Sequence, residues 1–408
     1  MSETDWERTE PMEKSASNSA KPRILFILHL PPPVHGAALV GSFLKESALV
    51  NGTFDARYVN LSASESLEQV GRFSFGKVRS VFHLLAEVRR TLRAWKPNLV
   101  YMTPSCKMPG LLKDALVARL VRRKGCKVVL HFHNKGVASR QDRFFDDWLY
   151  RVLFRDASVI LLSERLYADI RKYVPMDRVS FCANGVSVPD VAHRPAPVLR
   201  ILFLSNMIRS KGVSELIEAC RILKDRGAMF RCRLVGALSA DYPGDSLAAE
   251  IRAKGLEDIV TYEGPRYGEE KWRAFSEADL FAFPSHYPDE CFPLVVLEAM
   301  GAGLPVVTTD EGAIPEMVRD GEDGVICPKK DPAALADTLG SLLADPLLRT
   351  RMGESGKHRY QSSYTLECFE RNIVEILNRS VDAYSVPVQS SGTLPDGFLP
   401  FPVSGDGM

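Results

Sequence analysis

The sequence predicts an α/β fold made of two doubly wound domains, each with a parallel sheet that carries helices on both faces. The chain has 408 residues, which exceeds the usual size of one domain and suits two. Apolar runs typical of strands alternate with amphipathic stretches typical of helices through both halves, as in βαβ units. Prolines concentrate between residues 188 and 197, where we expect the linker between the domains.

The first half begins with the strand Arg23–Leu28, a continuous apolar run typical of a strand buried on both faces. A proline-rich turn that contains Gly36 follows, and a helix should come next. Later elements alternate regularly, with strands at 54–59, 99–102, 127–132, 158–162 and 179–182, and helices at 76–95 and 110–123. We therefore predict an N-terminal domain at 22–190, after a disordered polar tail at 1–21.

The second half repeats the same alternation. Strands are predicted at 200–204, 231–236, 259–262, 280–283 and 305–308, and helices at 213–225, 268–277, 294–300 and 331–343. We assign this second domain to residues 198–364 and a further helix to 365–382. The stretch 386–408 is rich in Pro, Gly and Ser, and we expect it to be a disordered tail.

The stretch from Pro284 to Pro305 carries the strongest chemical signal. Prolines break regular structure after the predicted strand, and Pro293 suits the first position of the helix that follows. The unbonded amides at the start of that helix, near 292–295, form an anion site. Glu290 in the loop and Glu298 in the helix flank these amides. Phosphates on amides and hydroxyls on carboxylates would suit a nucleotide sugar, whereas an ordinary βα unit with two solvated glutamates is the alternative.

At this stretch the chain resembles the retaining glycosyltransferases of the GT-B type, in which two Rossmann-like domains face a central cleft. The resemblance is to the family 4 type, or glycosyl transferases group 1, and it rests on the pattern Glu290, Phe292, Glu298, Gly303 and Pro305. It covers roughly residues 22–380 and is strongest from 200 to 330. The resemblance implies a UDP- or GDP-linked sugar donor, no other cofactor and no metal, and a last helix that crosses back to the first domain.

The resemblance also implies roles for particular residues. The catalytic ones would be His133, Glu290 and Lys211. Asn206 stands where the family usually has an arginine, and Arg209 in the same loop is a substitute for it. The donor-binding set would be Gly36, Asn206, Arg209, Lys211, Gly236, Glu290, Phe292, Pro293, Leu294, Val295 and Glu298. The simpler alternatives are a plain strand-to-helix turn at Gly36 and a solvated basic loop at Lys211.

His131 and His133 lie at the carboxyl end of a predicted strand, where ligands bind in open α/β sheets. Alternation along the strand turns both side chains to the same side. The resemblance assigns a sugar-contacting histidine here, with His133 the better match and His131 the second choice. A structural histidine is the alternative, and a metal pair is disfavoured because no carboxylate follows at ligand spacing.

The charge is distributed unevenly between the two halves. Residues 22–190 contain 26 Lys and Arg against 14 Asp and Glu, whereas residues 191–380 contain 23 against 29. The basic first half favours an anionic membrane surface or a phosphate-bearing acceptor over nucleic acid, for which no binding module is visible. The helix at 76–95 has a basic face that would suit anionic lipid, or simply water opposite a buried apolar stripe.

Together these observations predict an enzyme that moves a sugar from a nucleotide-diphosphate sugar to an acceptor hydroxyl with retention. The acceptor would be a glycan or a lipid-linked molecule in surface polysaccharide or glycolipid assembly. We expect a cytoplasmic protein at the inner face of the cell membrane, because no signal peptide or spanning run is visible. The alternatives are a nucleotide-sugar epimerase of the same fold and a non-catalytic sugar- or lipid-binding relative. An NAD enzyme is disfavoured by the absence of GxGxxG.

Overall fold

The computed structural model describes residues 20–32, 36–61, 75–190 and 192–382, with only the backbone described for 75–78. Apart from residues 20 and 21, the predicted tails at 1–21 and 386–408 lie outside the described residues. The described chain forms two six-stranded parallel sheets, one from each half.

The first sheet has the strand order β2-β1-β3-β4-β5-β6. Its strands are β1 Arg23–Leu28, β2 Asp55–Asn60, β3 Leu99–Met102, β4 Lys127–Phe132, β5 Ser158–Leu161 and β6 Val179–Phe181. The helices of this half are α1 Gly36–Glu46, α2 Ala48–Thr53, α3 Phe75–Trp95, α4 Gly110–Arg123, α5 Phe144–Phe154 and α6 Tyr167–Ile170. The predicted strands agree with these bounds to within one residue, but α2 and α5 were not predicted.

Both faces of the first sheet are buried, as the continuous apolar strands require. Along β1, Leu25 and Ile27 join the cluster that contains apolar residues of α3, α4 and α5. Their neighbours Ile24 and Phe26 join a second cluster, on the opposite face, that contains residues of α1 and α2. The sheet is therefore a central layer between two helical layers.

The second sheet has the strand order β12-β11-β10-β7-β8-β9. Its strands are β7 Arg200–Leu204, β8 Arg231–Val235, β9 Val260–Gly264, β10 Leu280–Phe283, β11 Val306–Thr309 and β12 Gly324–Cys327. The helices are α7 Val213–Asp225, α8 Gly244–Ala253, α9 Gly268–Ser276, α10 Leu294–Gly301, α11 Ile314–Met317, α12 Pro332–Ala344 and α13 Pro346–Ser363. The sequence did not predict β12, α8, α11 or α13.

A last helix, α14 (Leu366–Asp382), returns from the second half to the first. Its residues Phe369, Ile373 and Leu377 are buried in the second core cluster of the first sheet. The chain crosses beside Val186, whose N–H donates to the Tyr364 carbonyl at 3.0 Å and whose carbonyl accepts from Leu366 at 3.1 Å. The C-terminal helix is therefore part of the core of the N-terminal half.

None of the helices in the described part of the chain is both long and apolar enough to cross a membrane. In α3, Leu84, Val88 and Leu92 are buried in the core, whereas Arg89 and Arg93 are exposed. Most of the apolar stripe of α3 is therefore buried in the protein itself, whereas Phe82 of the same helix is 68% exposed. Contact of this helix with anionic lipid stays a prediction.

Candidate donor site at the cleft

The loop after β10 brings two of the predicted catalytic residues together. Glu290 is buried, and its carboxylate forms an ion pair with the Lys211 ammonium and accepts a hydrogen bond from the Ser285 hydroxyl at 3.3 Å. Lys211 ends a short 3-10 turn, Arg209–Lys211, that follows β7. Because β7 and β10 are neighbours in a parallel sheet, their carboxyl ends place these loops side by side.

Gly212 makes this approach of the two loops possible. Its φ is +87°, in the left-handed region, and an added Cβ would overlap the carbonyl oxygen of Pro284. A larger residue would therefore push the loop after β7 away from the loop after β10.

Glu298 lies in α10 beside a different lysine. Its Oε1 accepts a hydrogen bond from Lys271 Nζ at 2.8 Å. Burial raises the pKa of Glu298, and the Lys271 ammonium partly offsets this effect. The two glutamates of the sequence pattern are thus separately neutralised, Glu290 by Lys211 and Glu298 by Lys271. Two such carboxylates can accept hydrogen bonds from hydroxyl groups at two different points of one ligand.

The start of α10 differs slightly from the prediction. Pro293 occupies the N-cap position with extended backbone, one residue before the first helical position that we expected. It has no side-chain cap, and its carbonyl accepts from the Val296 N–H at 3.1 Å. Leu294 and Val295 are half-buried, while Phe292 is buried edge-on against Tyr364. The uncapped first turn is suited to receive an anion.

The loop after β7 presents Asn206 and Arg209 on its exposed side. The Asn206 carbonyl accepts from the Ile208 N–H at 2.8 Å, which closes the turn. The Arg209 guanidinium lies over the Tyr242 ring at 4.1 Å and 3.6 Å from Glu250. Arg209 would have to leave these partners to reach a donor phosphate, and its role in place of the usual arginine stays a prediction.

Two glycines of the donor set have different surroundings. Gly236, with a φ of +148°, abuts the Ser205 carbonyl, so that any Cβ there would overlap the backbone. Gly36 begins α1 and is exposed, with no described protein atom within 4 Å of where its Cβ would be. In the same helix, Gly41 packs on the carbonyl of His29, so that a Cβ there would overlap the backbone.

The two histidines at the end of β4 face the same side, as predicted, with ring centroids 4.2 Å apart. His131 is fully buried, and its Nδ1 lies 2.6 Å from the Tyr101 hydroxyl oxygen. Burial lowers the pKa of His131 well below its usual value, so this ring is neutral. His133 is only half-buried. Both ring nitrogens of His133 are nevertheless shielded from solvent, and its contact with a ligand remains a prediction.

Ion pairs link the two halves across the cleft, and no local sequence pattern indicates them. Lys107, after β3, pairs with Asp289, and Lys135, after β4, pairs with Glu311, after β11. Lys329 also bonds Glu311, at 2.9 Å. Since Lys135 is two residues from His133 and Asp289 adjoins Glu290, these pairs bring the histidine loop against the glutamate loop.

Comparisons with known proteins agree with this architecture. Residues 193–359 match the model of glycosyl transferases group 1, and residues 54–185 match the glycosyl transferase 4-like domain. The second half of this chain belongs to the group 1 glycosyl transferases. The family assigned from the Glu290–Glu298 pattern is thereby confirmed.

Relatives of this glycosyl transferase include proteins named for polysaccharide biosynthesis. It is 30% identical over 223 residues to a putative colanic acid biosynthesis glycosyltransferase of Salmonella typhimurium, WcaL, covering 52% of this chain and 54% of the relative. It is 29% identical to the amylovoran biosynthesis glycosyltransferase AmsK of Erwinia amylovora, covering 62% of this chain and 64% of the relative. The matched region thus spans between about half and two thirds of these curated relatives.

Solved structures show the same fold over nearly the whole chain. Sucrose-phosphate synthase from Thermosynechococcus elongatus superposes with a TM-score of 0.72 at 19% identity, covering 89% of this chain and all of that one. Anabaena HepE, solved with UDP and glucose, gives a TM-score of 0.67 at 19% identity, covering 88% of this chain and all of that one. The predicted GT-B fold class is confirmed.

In the described residues, no three His, Cys, Asp or Glu gather to hold a metal.

Proposed function

We propose that this protein transfers a sugar from a nucleotide-diphosphate sugar to an acceptor hydroxyl with retention of anomeric configuration. The observation that carries the proposal is the pairing of Lys211 with Glu290 in a loop held against the His133 loop of the other half. A cation and a carboxylate in adjacent loops, with an imidazole in the loop against them, would together suit a sugar diphosphate. The names of WcaL and AmsK support a role in surface polysaccharide or glycolipid assembly.

The donor would displace the Lys211–Glu290 ion pair when it binds. Lys211 would turn to the diphosphate, which also meets the first turn of α10, and would offset the charge that develops on the leaving group. Glu290 would then accept hydroxyl hydrogen bonds from the transferred sugar. Breaking a buried pair is unfavourable unless each partner finds a replacement, and a nucleotide sugar supplies one for both.

The other residues complete the proposed site. Glu298 would accept the ribose hydroxyls, and Gly236 would lie beside the base. His133 would orient the sugar from the opposite half, with the acceptor bound to residues 22–190 and the donor to residues 198–364. Closing the cleft would exclude water, so that the acceptor hydroxyl attacks instead. The donor would be UDP- or GDP-linked, and no other cofactor is proposed.

The first test is binding of nucleotides to the full chain. A nucleoside diphosphate at about 100 times its dissociation constant should stabilise the protein by about 2.7 kcal/mol and raise its melting temperature. The UDP and GDP series should each be measured, with the corresponding nucleosides as controls without phosphate. No response to any diphosphate would overturn the proposal.

The second test separates transfer from other chemistry. A responding nucleotide sugar is incubated with and without a lipid-linked glycan acceptor, and free nucleoside diphosphate is measured. Transfer predicts release that depends on the acceptor, with an α-configured donor giving an α-linked product. Conversion of the donor to an epimer without acceptor would identify an epimerase, and binding without any turnover would identify a non-catalytic protein.

A further inference from the structure

An aromatic cluster is exposed at the start of α5. Phe144 is 89% exposed, Phe145 50% and Trp148 45%, and the Phe145 and Trp148 rings stack with centroids 5.9 Å apart. Three large aromatic side chains within one and a half turns of a helix form an apolar patch rather than scattered surface residues. Such a patch marks a place where another surface binds.

An arginine groove lies directly beside the aromatic cluster, between α4 and α5. It is open, has a volume of about 690 Å³ and includes the Trp148 side chain in its wall. Five cations line it against one acid, Asp156, and these cations are Arg119, Arg122, Arg123, Arg151 and Arg155. The groove therefore carries an excess of positive charge and suits an anionic partner.

Two arginines of the groove are available to a ligand. Arg122 is held by the carbonyls of Val152 and Leu153, and Arg151 bonds Asp147 at 2.7 Å. Arg119 and Arg123 are exposed and make no side-chain hydrogen bond or ion pair within the described residues. They lie four residues apart on one face of α4, so that both guanidinium groups can reach the same row of phosphates.

The basic surface continues onto the neighbouring helix. α3 packs against α4, and α4 against α5, so the three helices form one layer over the first sheet. Arg89, Arg90 and Arg93 of α3 are exposed. An extended basic layer with an aromatic cluster at one end fits an anionic bilayer, where aromatic rings enter the headgroup region and arginines bind phosphates. Nucleic acid fits less well, because the aromatic rings are grouped at one end and not spaced between the cations.

We infer that the surface formed by α4 and α5 docks onto an anionic lipid bilayer, with the aromatic cluster in the headgroup region and the arginine groove on lipid phosphates. The apolar anchor is thus on α5, while α3 adds positive charge and a single exposed aromatic side chain, Phe82. α5 begins after the loop that follows β4, so the aromatic cluster lies at the same end of the sheet as His133. If the proposed function holds, a lipid-linked acceptor would enter the cleft near this anchor; the docking itself does not depend on that function.

The test is co-sedimentation of the full chain with vesicles of phosphatidylcholine, with and without phosphatidylglycerol, at low and high salt. Binding is expected only to anionic vesicles and should weaken as salt rises. Arg119→Glu/Arg123→Glu should weaken binding at least about 20-fold, since each arginine contributes about fivefold. Phe144→Ser/Phe145→Ser should also release the protein, by removing the anchor.

Two matched variants serve as controls. Met229→Ser/Leu347→Ser removes two exposed apolar side chains from the second half, 85% and 82% exposed, and should bind like the wild type. Arg89→Glu/Arg93→Glu reverses the same amount of charge on α3 and should have the smaller effect. Unchanged melting temperatures show that each variant is folded.

Several results would overturn the inference. These are equal binding to neutral vesicles, loss of binding only in the α3 variant, and wild-type binding by both α4–α5 variants. The inference would also be overturned if the wild type failed to bind anionic vesicles. In that case binding of single-stranded RNA would be measured, and a positive result would identify the basic surface as a nucleic-acid site instead. Because vesicle binding needs no nucleotide sugar, this outcome is separate from failure of the proposed function.

Discussion

Lys211 and Glu290 neutralise each other in a nearly buried position, with 14% and 8% of their side chains exposed. Lys211→Met removes the cation expected to face the donor diphosphate and leaves the Glu290 carboxylate without its partner. We expect kcat/KM to fall about 10²- to 10³-fold, as when one group that stabilises a developing anion is lost. Release of nucleoside diphosphate measures this change.

Lys224→Met is the matched control for Lys211→Met. Lys224 is also in the second half, but it bonds Asp258 at 3.1 Å on the protein surface. Its loss should leave kcat/KM unchanged, since surface ion pairs contribute little. Equal activity of the two variants would remove Lys211 from the catalytic machinery.

Glu298 gives the site a pH dependence with a defined direction. Burial raises the pKa of Glu298, so this carboxyl takes up a proton at a higher pH than an exposed glutamate does. The protonated form is the poorer acceptor for ribose hydroxyls. We expect affinity for the nucleotide sugar to fall as pH is lowered from 7 to about 5, as followed by titration calorimetry.

Glu298→Gln separates this effect from other titrations. The amide keeps the shape of the side chain but not its charge, so affinity should drop about 10- to 100-fold at neutral pH. Its pH profile should be flat over the same range, since the titrating group is gone. A profile parallel to that of the wild type would show that another group is responsible.

At the scale of elements, Gly212 controls how closely the loops after β7 and β10 approach. Gly212→Ala places a Cβ in a left-handed residue and against the Pro284 carbonyl. Gly227→Ala is a matched control with a similar φ, +79° against +87°, but with no atom within 4 Å of the new Cβ. The control should lose about 1–2 kcal/mol from backbone strain alone, and Gly212→Ala should lose more.

The two variants are compared by their midpoint temperatures of thermal unfolding. For a domain of this size, each kcal/mol of lost stability lowers the midpoint by about 2–4 °C. Gly212→Ala should also weaken nucleotide binding, because the loop that carries Lys211 is displaced. Equal losses in the two variants would mean that the loops can separate without penalty.

All strands except β12 were predicted from the sequence, whereas several helices were not. Strands such as β7 and β10 are continuous apolar runs because both faces of each sheet are covered, so their pattern is unambiguous. α13 was missed because it packs through small residues, with Gly353 lying on the Gly303 carbonyl, and this leaves no apolar periodicity to read. The strand β12 was missed because it begins with a glycine next to its turn and has only three apolar residues, of which two are half-buried.

At the scale of the whole molecule, the ion pairs of Lys107 and Lys135 hold the two halves together. Lys135→Glu would place a second carboxylate against that of Glu311, and the repulsion between them should open the cleft. We expect a larger radius of gyration by small-angle X-ray scattering, most marked at low salt where repulsion is least screened. Lys254→Glu, which disrupts a pair with Glu218 inside the second half, should leave this radius unchanged.

The Lys135–Glu311 ion pair also makes closure of the cleft depend on pH, because Glu311 must be ionised to form it. Burial alone would raise the pKa of Glu311, but hydrogen bonds from Lys135 and Lys329 hold it below its usual value. The contact is therefore fully present above the usual glutamate value of 4.5 and is lost as pH falls through the lower folded value. A wild-type radius of gyration that stays constant through this acid range would argue against a role of Glu311 in closure.

The ion pairs across the cleft are the part of the site that could not be predicted from the sequence. Glu290, Glu298 and Lys211 stand in recognisable positions after strands, so their neighbourhood was predictable. Lys107 and Asp289 are ordinary loop charges far apart in sequence, and nothing local distinguishes them from solvated residues. Their pairing depends on how the two sheets face each other, which is a property of the complete tertiary structure.

Because α14 fills one face of the first sheet, the order of synthesis matters for this chain. The N-terminal half emerges from the ribosome long before Phe369, Ile373 and Leu377, the residues that cover its apolar face. Until these residues are made, that face is covered only by α1 and α2, and its remaining apolar surface is open to chaperones or to aggregation. A stop codon anywhere before residue 366 would therefore damage the half of the protein that had already been made.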